Sequence, residues 1–381
     1  MKLVAKSLRL RQFQKKITSE KSQGWPIMVR VLIVGAGSIG NHLSYACRQK
    51  NWQVDLYDID SKALDRTKHE IFPSRYGVWD EAIQCTSTLP PNQSFDVVMI
   101  GTPPDSHIEL ALSSLKRYKP AVMLIEKPLC APNEVRLPEF QTTLRALDTV
   151  AVVGYNHNLT PNTKFAERLL RRGLIGEPLS MQVQWQEHWG GIFDAHPWLS
   201  GPEESYLGFW ERGGGACSEH SHGIAIWQYF SNIMGCGKVD EVTALIGMRE
   251  VDELCYDESV YMGLKSQNGL VGSVIQDVIT IPAKKSVRIQ GDRGFIEWHA
   301  NYIPDHDAVV FCEQGSTRQE RLFPKKRTDD FSPEIDHIEE LLKGESLISP
   351  IRLDLGIDCM EVISSVFQSH HTKARVALRK G

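Results

Sequence analysis

Short, mainly apolar runs separated by amphipathic stretches dominate the part of the chain that follows residue 28. The runs lie at residues 30–34, 53–57, 97–100, 121–125 and 150–153, and each is predicted to form a buried strand. Between them, Ile39, Leu43 and Cys47 recur at helical spacing and predict a helix to about residue 50. A second helix is predicted near residues 61–70. Strands and helices that alternate at this spacing predict a parallel sheet covered on both faces.

The pattern changes after residue 150. Pro161 begins a predicted helix that Gly173 ends, and strand signals dominate from about residue 178 to residue 323. Strands are predicted at residues 181–185, 242–246, 260–264, 271–278 and 286–289, with one helix beginning near Gly215. Asn268-Gly269 predicts a hairpin turn, and residues 353–370 an amphipathic helix. We therefore expect an α/β protein: a doubly wound Rossmann domain over residues 29–150, then an α+β domain with a mostly antiparallel sheet over residues 151–381.

A glycine motif stands where the first strand meets the first helix. In the run from Gly35 to Gly40, Gly35 permits a tight turn, Gly37 lets the backbone approach a pyrophosphate, and Gly40 allows close packing of helix on strand. Ser38 and Ile39 open the helix, whose N-terminal N–H groups and positive dipole end favour phosphates. The position of the motif predicts a dinucleotide site.

An acidic residue at the end of the second strand completes this pattern. Asp58 lies 23 residues after Gly35, where a carboxylate accepts hydrogen bonds from the ribose hydroxyls. The same charge would repel a 2′-phosphate, so NAD is expected rather than NADP. Lys62 could soften that repulsion, which keeps NADP as the alternative.

Composition limits the classes of function. The chain has 381 residues with 41% hydrophobic and 24% charged residues, and its net charge of −4 gives no case for a nucleic-acid partner. No apolar run reaches the roughly 20 residues of a membrane-spanning helix, so no membrane partner is expected. The eight cysteines include no CxxC pair, which favours a reducing, cytoplasmic location over disulfides or a thiolate zinc site.

The first 28 residues differ in character from the rest. They contain seven Lys or Arg residues against the single acid Glu20. We expect a basic leader outside the folded core, with Met28 as an alternative start of the chain. A basic arm that binds a partner is the other interpretation.

Several motifs together resemble the Gfo/Idh/MocA family of oxidoreductases, typified by glucose–fructose oxidoreductase and inositol dehydrogenase. They are the glycine motif, Gly101-Thr102-Pro103-Pro104 followed by His107, Glu126-Lys127-Pro128, Val153-Gly154-Tyr155-Asn156-His157, and Gly213-Gly214-Gly215 followed by Glu219-His220-Ser221-His222. The resemblance spans about residues 30–378. It implies a second domain with an open sheet that packs in homodimers or homotetramers. It also implies that Thr102, Pro103, His107, Glu126 and Lys127 join the glycine motif in binding the cofactor.

The resemblance also implies the catalytic groups. The family moves a hydride between the nicotinamide and a carbon of a sugar or cyclitol, with Lys127 and His222 at the positions of its catalytic lysine and histidine. A histidine has a suitable ordinary pKa to take the hydroxyl proton, and an ammonium group stabilises developing alkoxide charge. The structural alternatives are that His222 is a helix histidine hydrogen-bonded to a backbone carbonyl, and that Lys127 is a surface lysine.

One position departs from the family pattern. Ser218 stands where the family's usual aspartate would precede the histidine, whereas Glu219 fits a related pattern of acid-x-Ser-His. On one helix Glu219 and His222 would share a face, so Glu219 is expected to orient the imidazole or bind substrate. A further acid of the family is replaced by Ala225. A metal site at His220 and His222 is disfavoured, because residues two apart on a helix point in different directions.

Aromatic and polar side chains of the second domain suit a carbohydrate. Tyr155, Asn156 and His157 follow a strand end, and Trp198 and Tyr206 lie in a stretch rich in tryptophan. With Glu219 they are the predicted substrate contacts; core packing is the alternative for each aromatic residue.

The sequence thus favours an NAD-dependent oxidoreductase acting on a sugar, sugar acid, cyclitol or sugar nucleotide. Two alternatives stay open. One is an enzyme of the same fold that retains its NAD and achieves a net non-redox result such as glycoside cleavage. The other is a non-catalytic sensor that binds the dinucleotide.

Overall fold

A computed structural model describes residue 15 and residues 28–91, 93–194, 196–345 and 348–378. The predicted basic leader, apart from Lys15 and Met28, lies outside the described residues. The chain divides into two compact units. The first contains residues up to 130, residues 134–156 and residues 327–353, and the second contains residues 131–133, 157–326 and the remainder from 354.

The first unit is built on a six-stranded parallel sheet. Its strands are β1 (Arg30–Val34), β2 (Gln53–Tyr57), β3 (Ile83–Thr86), β4 (Val97–Ile100), β5 (Val122–Ile125) and β6 (Val150–Val153). The order β3-β2-β1-β4-β5-β6 is that of a doubly wound Rossmann sheet. All residues of β4 and β5 are buried, which explains why these strands are wholly apolar. The fold class predicted for this part of the chain is confirmed.

Helices follow β1, β2, β4 and β5 along the chain. They are α1 (Ser38–Gln49), α2 (Ser61–Arg66), a π-helical turn (Thr67–Ile71), α3 (Phe72–Tyr76), α4 (His107–Tyr118) and α5 (Leu137–Leu147). The predicted helix near residues 61–70 thus continues six residues further, through the π turn and α3, to Tyr76. Short 3₁₀ turns cover Pro104–Ser106 and Asn156–Leu159.

A late segment of the chain returns to the first unit. It carries a 3₁₀ turn (Arg327–Asp329) and helix α10 (Ser332–Lys343). Lys50 at the end of α1 contacts Asp336 at 2.6 Å and Glu339 at 3.0 Å, and the N–H of Val153 donates to the carbonyl of Ile351 at 2.9 Å. These contacts explain why residues 327–353 join this unit, whereas the sequence led us to expect a continuous second domain from residue 151.

The second unit contains a nine-stranded sheet that is antiparallel except for one pair. Its strands are β7 (Pro178–Gln186), β8 (Val239–Val251), β9 (Leu254–Ser266), β10 (Val271–Asp277), β11 (Lys284–Gly291), β12 (Gly294–Ile303), β13 (His306–Glu313), β14 (Gln319–Pro324) and β15 (Val376–Ala377). Only β7 and β10 pair in parallel, within the order β14-β13-β12-β11-β7-β10-β9-β8-β15. The predicted mostly antiparallel sheet is confirmed, and Asn268-Gly269 forms the turn between β9 and β10.

Helices of the second unit pack on its sheet. They are α6 (Pro161–Arg171), α7 (Trp189–Asp194), α8 (Gly215–Glu219), α9 (His222–Ile233) and α11 (Leu353–Thr372). The helix predicted to begin near Gly215 is two helices, since α8 ends at Glu219 and α9 begins at His222. Glu219 and His222 therefore do not share one helix, and the argument from helical spacing does not apply to them. No helix in the described part of the chain is long and apolar enough to cross a membrane.

The glycines of the first turn generate a stability prediction. A Cβ at Gly40 would overlap the carbonyl oxygen of Gly35, whereas a Cβ at Gly37 would have no heavy atom within 4 Å. Gly40→Ala is expected to cost about 1–3 kcal/mol of unfolding free energy or more, because the backbone must shift. Gly37→Ala is the matched control and should stay within about 1 kcal/mol of the parent chain. Denaturant unfolding measures both, and equal stability of the two variants would contradict the packing described.

Candidate functional site

The turn from β1 into α1 has the geometry of a dinucleotide-binding loop. Gly35 has φ of +109°, a value that favours glycine, and its N–H donates to the carbonyl of Tyr57 at 2.8 Å. Gly40 faces Gly35 so closely that no side chain fits between them. Gly37 is different, because nothing in its own surroundings requires a glycine. Its open space lies at the N-cap of α1, which has no side-chain cap. A backbone left bare at a helix N-terminus suits an anionic ligand.

Two residues outside the glycine motif clamp this loop. The side-chain amide of Asn41 donates to the carbonyl of Gly37 at 2.8 Å and to Thr67 Oγ1 at 3.1 Å. The Thr67 hydroxyl donates to the carbonyl of Ala36 at 2.8 Å, and both Asn41 and Thr67 are fully buried. Sequence reasoning missed both residues. Thr67 belongs to the π turn, and no local pattern announces that a residue so far along the chain will reach the loop.

Asp58 ties the end of β2 to the same loop. One carboxylate oxygen accepts the N–H of Ala36 at 2.8 Å, and the other accepts the N–H of Asp60 at 2.9 Å. These bonds fix the orientation of the carboxylate beside the glycine turn. Each oxygen of an ionised carboxylate has a second lone pair, so both can still accept from a ribose hydroxyl.

Thr102 and His107 connect the ends of β4 and β5. His107 is 0% exposed, with Nε2 at 2.7 Å from the carbonyl oxygen of Thr102 and Nδ1 at 3.1 Å from that of Pro128. Burial lowers the pKa of His107, and its contacts with backbone carbonyls oppose that effect. His107 therefore links the loop after β4 to the loop after β5, and both loops belong to the predicted cofactor site. Thr102 is partly exposed and Pro103 is exposed.

Glu126 and Lys127 follow β5. Glu126 is buried, and its carboxylate accepts the N–H of Lys127 at 3.4 Å. It lies against Gly154 at the end of β6, where an added Cβ would come within 2.6 Å of Glu126 Oε1. Lys127 is only partly buried. The backbone therefore presents the lysine toward the surface while the preceding glutamate points into the unit.

In the second unit, His222 lies in a cluster of aromatic rings. Its ring stacks on Trp185 with centroids 5.4 Å apart and meets His157 edge-on at 4.9 Å. Trp185 in turn stacks on Trp298 at 5.9 Å. Gly223 allows this arrangement, because a Cβ there would lie 3.2 Å from Trp185 Cβ. The structure thus brings together two predicted site residues, His157 and His222.

Of the remaining predicted substrate residues, three lie in the second unit and two in the first unit. In the second unit, the Tyr206 hydroxyl donates to Glu219 Oε2 at 2.9 Å, and Trp198 contacts the ring of His196 at 5.2 Å. In the first unit, Tyr155 is 0% exposed, and the side-chain amide of Asn156 donates to the carbonyl of Asp330 at 3.4 Å. Tyr206 and Glu219 are therefore paired, whereas Tyr155 is a core residue of the first unit.

Asp257 and Gln276 hold the helices that carry Glu219 and His222. Asp257 is 0% exposed in β9, and its carboxylate accepts the N–H of Cys217 in α8 at 2.5 Å. Burial raises the pKa of Asp257 to about 7, although hydrogen bonds from the N–H groups of Cys217 and Ala216 oppose the shift. Gln276 in β10 donates to the carbonyl of His220, at the break between α8 and α9. In the sequence both residues occupy ordinary strand positions, so neither was predicted to hold these helices.

No group of three or more His, Cys, Asp or Glu side chains within the described ranges is arranged to hold a metal ion. None of the eight cysteines, all of which lie within the described ranges, forms a disulfide.

The first part of the chain matches a family of known proteins. Residues 29–156 match the model of the Gfo/Idh/MocA oxidoreductase family, described as having an NAD-binding Rossmann fold. For these residues the resemblance inferred from the motifs is confirmed, and so is the expectation of an NAD-binding family. No curated protein matches the chain.

Three solved structures share the fold at low sequence identity. A levoglucosan dehydrogenase in complex with NADH and levoglucosan has a TM-score of 0.73 and 18% identity, over 92% of this chain and 100% of that one. An oxidoreductase from Agrobacterium radiobacter with NAD⁺, L-tartaric acid and magnesium has a TM-score of 0.71 and 17% identity, over 92% and 98%. The WlbA dehydrogenase from Bordetella pertussis with NADH and UDP-GlcNAcA has a TM-score of 0.67 and 16% identity, over 93% and 100%.

The buried carboxyl of Asp257 generates a pH prediction. Because its pKa is raised from 3.8 to about 7, its contribution to stability is complete below about pH 4 and is lost as the pH rises to about 7. Asp257→Asn should remove this part of the pH dependence and cost about 1–2 kcal/mol through a lost acceptor. Asp252→Asn, in the turn before the same strand, is the control and should keep the parent profile. The measurement is the unfolding free energy of the parent chain and both variants from pH 4 to pH 8. A pH dependence in Asp257→Asn equal to that of the parent chain would contradict the account.

Proposed function

We propose that this chain, whose residues 29–156 belong to the Gfo/Idh/MocA oxidoreductase family, transfers a hydride between NAD and a secondary alcohol or ketone of a sugar-like molecule. The observation that carries the proposal is the glycine turn. Gly35 and Gly40 are required by packing within the unit, whereas Gly37 is bare toward open space at a helix N-terminus. A ligand that approaches the backbone at this point explains why residue 37 is also a glycine.

The cofactor proposal assigns each residue of the loop a task. The N–H groups at Ser38, Ile39 and Gly40 would hold the pyrophosphate, and Asp58 would accept from the ribose hydroxyls. Thr102, Pro103, Glu126 and Lys127 would border the nicotinamide half, with His107 keeping two of those loops together. When bound, NAD supplies the acceptor or donor of the hydride. The anchored carboxylate of Asp58 supports NAD over NADP.

The substrate proposal rests on the aromatic and polar groups of the second unit. His157 and His222 are both partly exposed; the His222 ring stacks on the buried ring of Trp185, and the His157 ring meets both of these rings edge-on. Ring nitrogens beside aromatic carbons are a combination suited to the hydroxyls and faces of a sugar ring. The paired Tyr206 and Glu219 would bind further hydroxyls, and so would Trp198 at the partly exposed edge of its loop. Levoglucosan and UDP-GlcNAcA, bound by two proteins of the same fold, belong to the class proposed here.

In this proposal His222 is the general acid/base that exchanges the substrate proton. His222 would take the proton from the substrate hydroxyl in the oxidation direction and return it to the oxygen in the reduction direction, while NAD, when bound, would accept or supply the hydride at the carbon that bears this oxygen. The ammonium group of Lys127 stabilises the alkoxide charge that develops on the oxygen. Glu219, held by Tyr206, orients the substrate through a hydroxyl. A homodimeric or homotetrameric assembly and a cytoplasmic location are proposed with this activity.

The bare position of Gly37 yields a binding prediction. Gly37→Ala should raise the dissociation constant of NADH by about tenfold or more, since its methyl group occupies the space that the pyrophosphate needs. The loss should occur with little change in stability, which separates it from Gly40→Ala. Fluorescence titration of the dinucleotide-free protein measures the effect. Unaltered NADH affinity in Gly37→Ala would remove the main support of the proposal.

The catalytic pair yields a kinetic prediction. His222→Ala and Lys127→Ala should each lower kcat by about 10²–10⁴, because each removes a group that acts on the reacting oxygen. His222→Ala should keep NADH affinity within about threefold. The measurement is NADH formation with the best substrate from a panel of sugars, sugar acids, cyclitols and sugar nucleotides. His306→Ala, in an exposed hairpin, is the control.

The same experiment separates the alternatives. Near-parent turnover in both variants would refute the assignment of the catalytic pair. Tightly retained NAD with no net NADH change, while a glycoside substrate is cleaved, would favour the non-redox enzyme. Binding of the dinucleotide with no reaction on any substrate class would favour the sensor.

A further inference from the structure

A lysine stands on the helix-covered face of the sheet in the second unit. Lys285 alternates in β11 with the same parity as the buried Val287 and Ile289, and it lies directly opposite Trp185 of β7 in the antiparallel register. Residues directly opposite each other on antiparallel strands project from the same face of the sheet. The side chain of Lys285 is only 14% exposed. A lysine is rarely covered to this extent unless its charge is paired, so its contacts carry information.

Two groups hold the ammonium group of Lys285. Its Nζ lies 2.5 Å from Oε2 of Glu187, a residue that follows the end of β7 and whose side chain is 28% exposed. The same Nζ lies 5.9 Å from the centroid of the Trp185 ring, within the range of a cation–π interaction. The backbone of Glu187 is fixed in turn, because its N–H donates to the carbonyl of Asp277 at 3.1 Å. The ion pair is therefore held in place beside Trp185.

His222 uses the same aromatic ring. The centroids of His222 and Trp185 are 5.4 Å apart, and their planes differ by 26°. Because both distances are measured to one centroid, Nζ of Lys285 lies no more than about 11 Å from the centre of the His222 ring, close enough for its charge to act there. A positive charge disfavours protonation of a nearby imidazole, and a negative charge favours it. Glu187 compensates the charge of Lys285, so each member of the pair limits the effect of the other.

The other titratable groups on the elements around His222 have different contacts. The ring of His157 meets that of His222 edge-on at 4.9 Å. Nδ1 of His188, after β7, accepts the N–H of Gly190 at 2.9 Å. Lys285 is thus the cation that shares the Trp185 ring with His222. The carboxylates of α6, α8, β9 and β10 are Glu167, Glu219, Asp257 and Asp277, which accept from the hydroxyl of Tyr229, the hydroxyl of Tyr206, the N–H of Cys217 and the hydroxyl of Thr280.

We propose that Lys285 and Glu187 are positioning residues for His222: acting across the shared ring of Trp185, their balanced charges set the pH range in which the imidazole is neutral and can accept the substrate proton. The inference rests on the proposed function, in which His222 takes the proton of a substrate hydroxyl. Oxidation requires the neutral imidazole. An uncompensated ammonium group would keep the imidazole neutral to lower pH, and an uncompensated carboxylate would keep it protonated to higher pH.

Opposite shifts of the pH profile test the pair. Glu187→Gln leaves the ammonium group uncompensated, so the pH of half-maximal kcat/KM for oxidation should fall by about 0.3–1 pH unit. Lys285→Met keeps an apolar stem against Trp185 but leaves the carboxylate uncompensated, so this pH should rise by a similar amount. The double variant should return close to the parent profile, because both charges are gone. Lys285→Arg keeps the charge and should follow the parent chain. Lys265→Met is the matched control, since it removes a lysine that pairs with Glu241 at 2.9 Å in the same sheet.

A second measurement requires neither substrate nor cofactor. Diethylpyrocarbonate modifies the neutral imidazole, and mass spectrometry of peptides follows the reaction of the partly exposed His222 separately from the other histidines. The midpoint of its modification rate against pH should move down in Glu187→Gln and up in Lys285→Met. If Lys285→Met does not fold, Glu187→Gln and Lys285→Arg carry the test.

The outcomes separate this inference from the function on which it rests. Midpoints that move in the same direction in both single variants, or that stay at the parent value, would overturn the role of the pair, since a merely structural ion pair gives no shifts of opposite sign. A double variant as far from the parent as either single variant would also overturn it. A parent chain that oxidises no member of the substrate panel would contradict the proposed function, while the modification midpoints of His222 would still decide the role of Lys285 and Glu187.

Discussion

The close approach of Gly35 and Gly40 is the constraint on which the first unit depends. No side chain fits between the turn that ends β1 and the first turn of α1, so the helix begins directly at the end of the central strand. Asn41, Thr67 and Asp58 then bond to backbone groups of this turn from three different elements. The N-terminus of α1 is consequently rigid and bare, a combination that an anion-binding loop requires.

The second unit places its polar groups by a comparable use of buried bonds. Asp257 and Gln276 lie on strands and bind backbone groups of α8 and of the break that follows it. The break turns His222 onto the ring of Trp185, and Gly223 admits that contact. An imidazole held between aromatic rings keeps one orientation, which suits a proton transfer that depends on direction.

The sequence was informative wherever one local pattern determined the structure. The strands at residues 53–57, 97–100 and 150–153 have the bounds expected of them, because buried parallel strands are short, apolar and ended by polar or glycine residues. The glycine motif and Asp58 were recognised for the same reason. Local patterns could not show that α10 returns to the first unit, that the helix breaks at residues 220–221, or that Thr67 and Asp257 are buried polar groups. Those features depend on contacts between residues far apart in the chain, and a polar residue in a helix or strand normally faces solvent.

The central claim is that the first unit binds NAD through the glycine turn and Asp58, and one titration tests it most directly. The protein is freed of dinucleotide and titrated with NADH and, separately, with NADPH by fluorescence. Our account predicts that NADH binds at least about tenfold more tightly, because the carboxylate of Asp58 would repel a 2′-phosphate. Tight binding of NADPH alone would contradict the role of Asp58 and direct attention to Lys62. Binding of neither would contradict the claim itself.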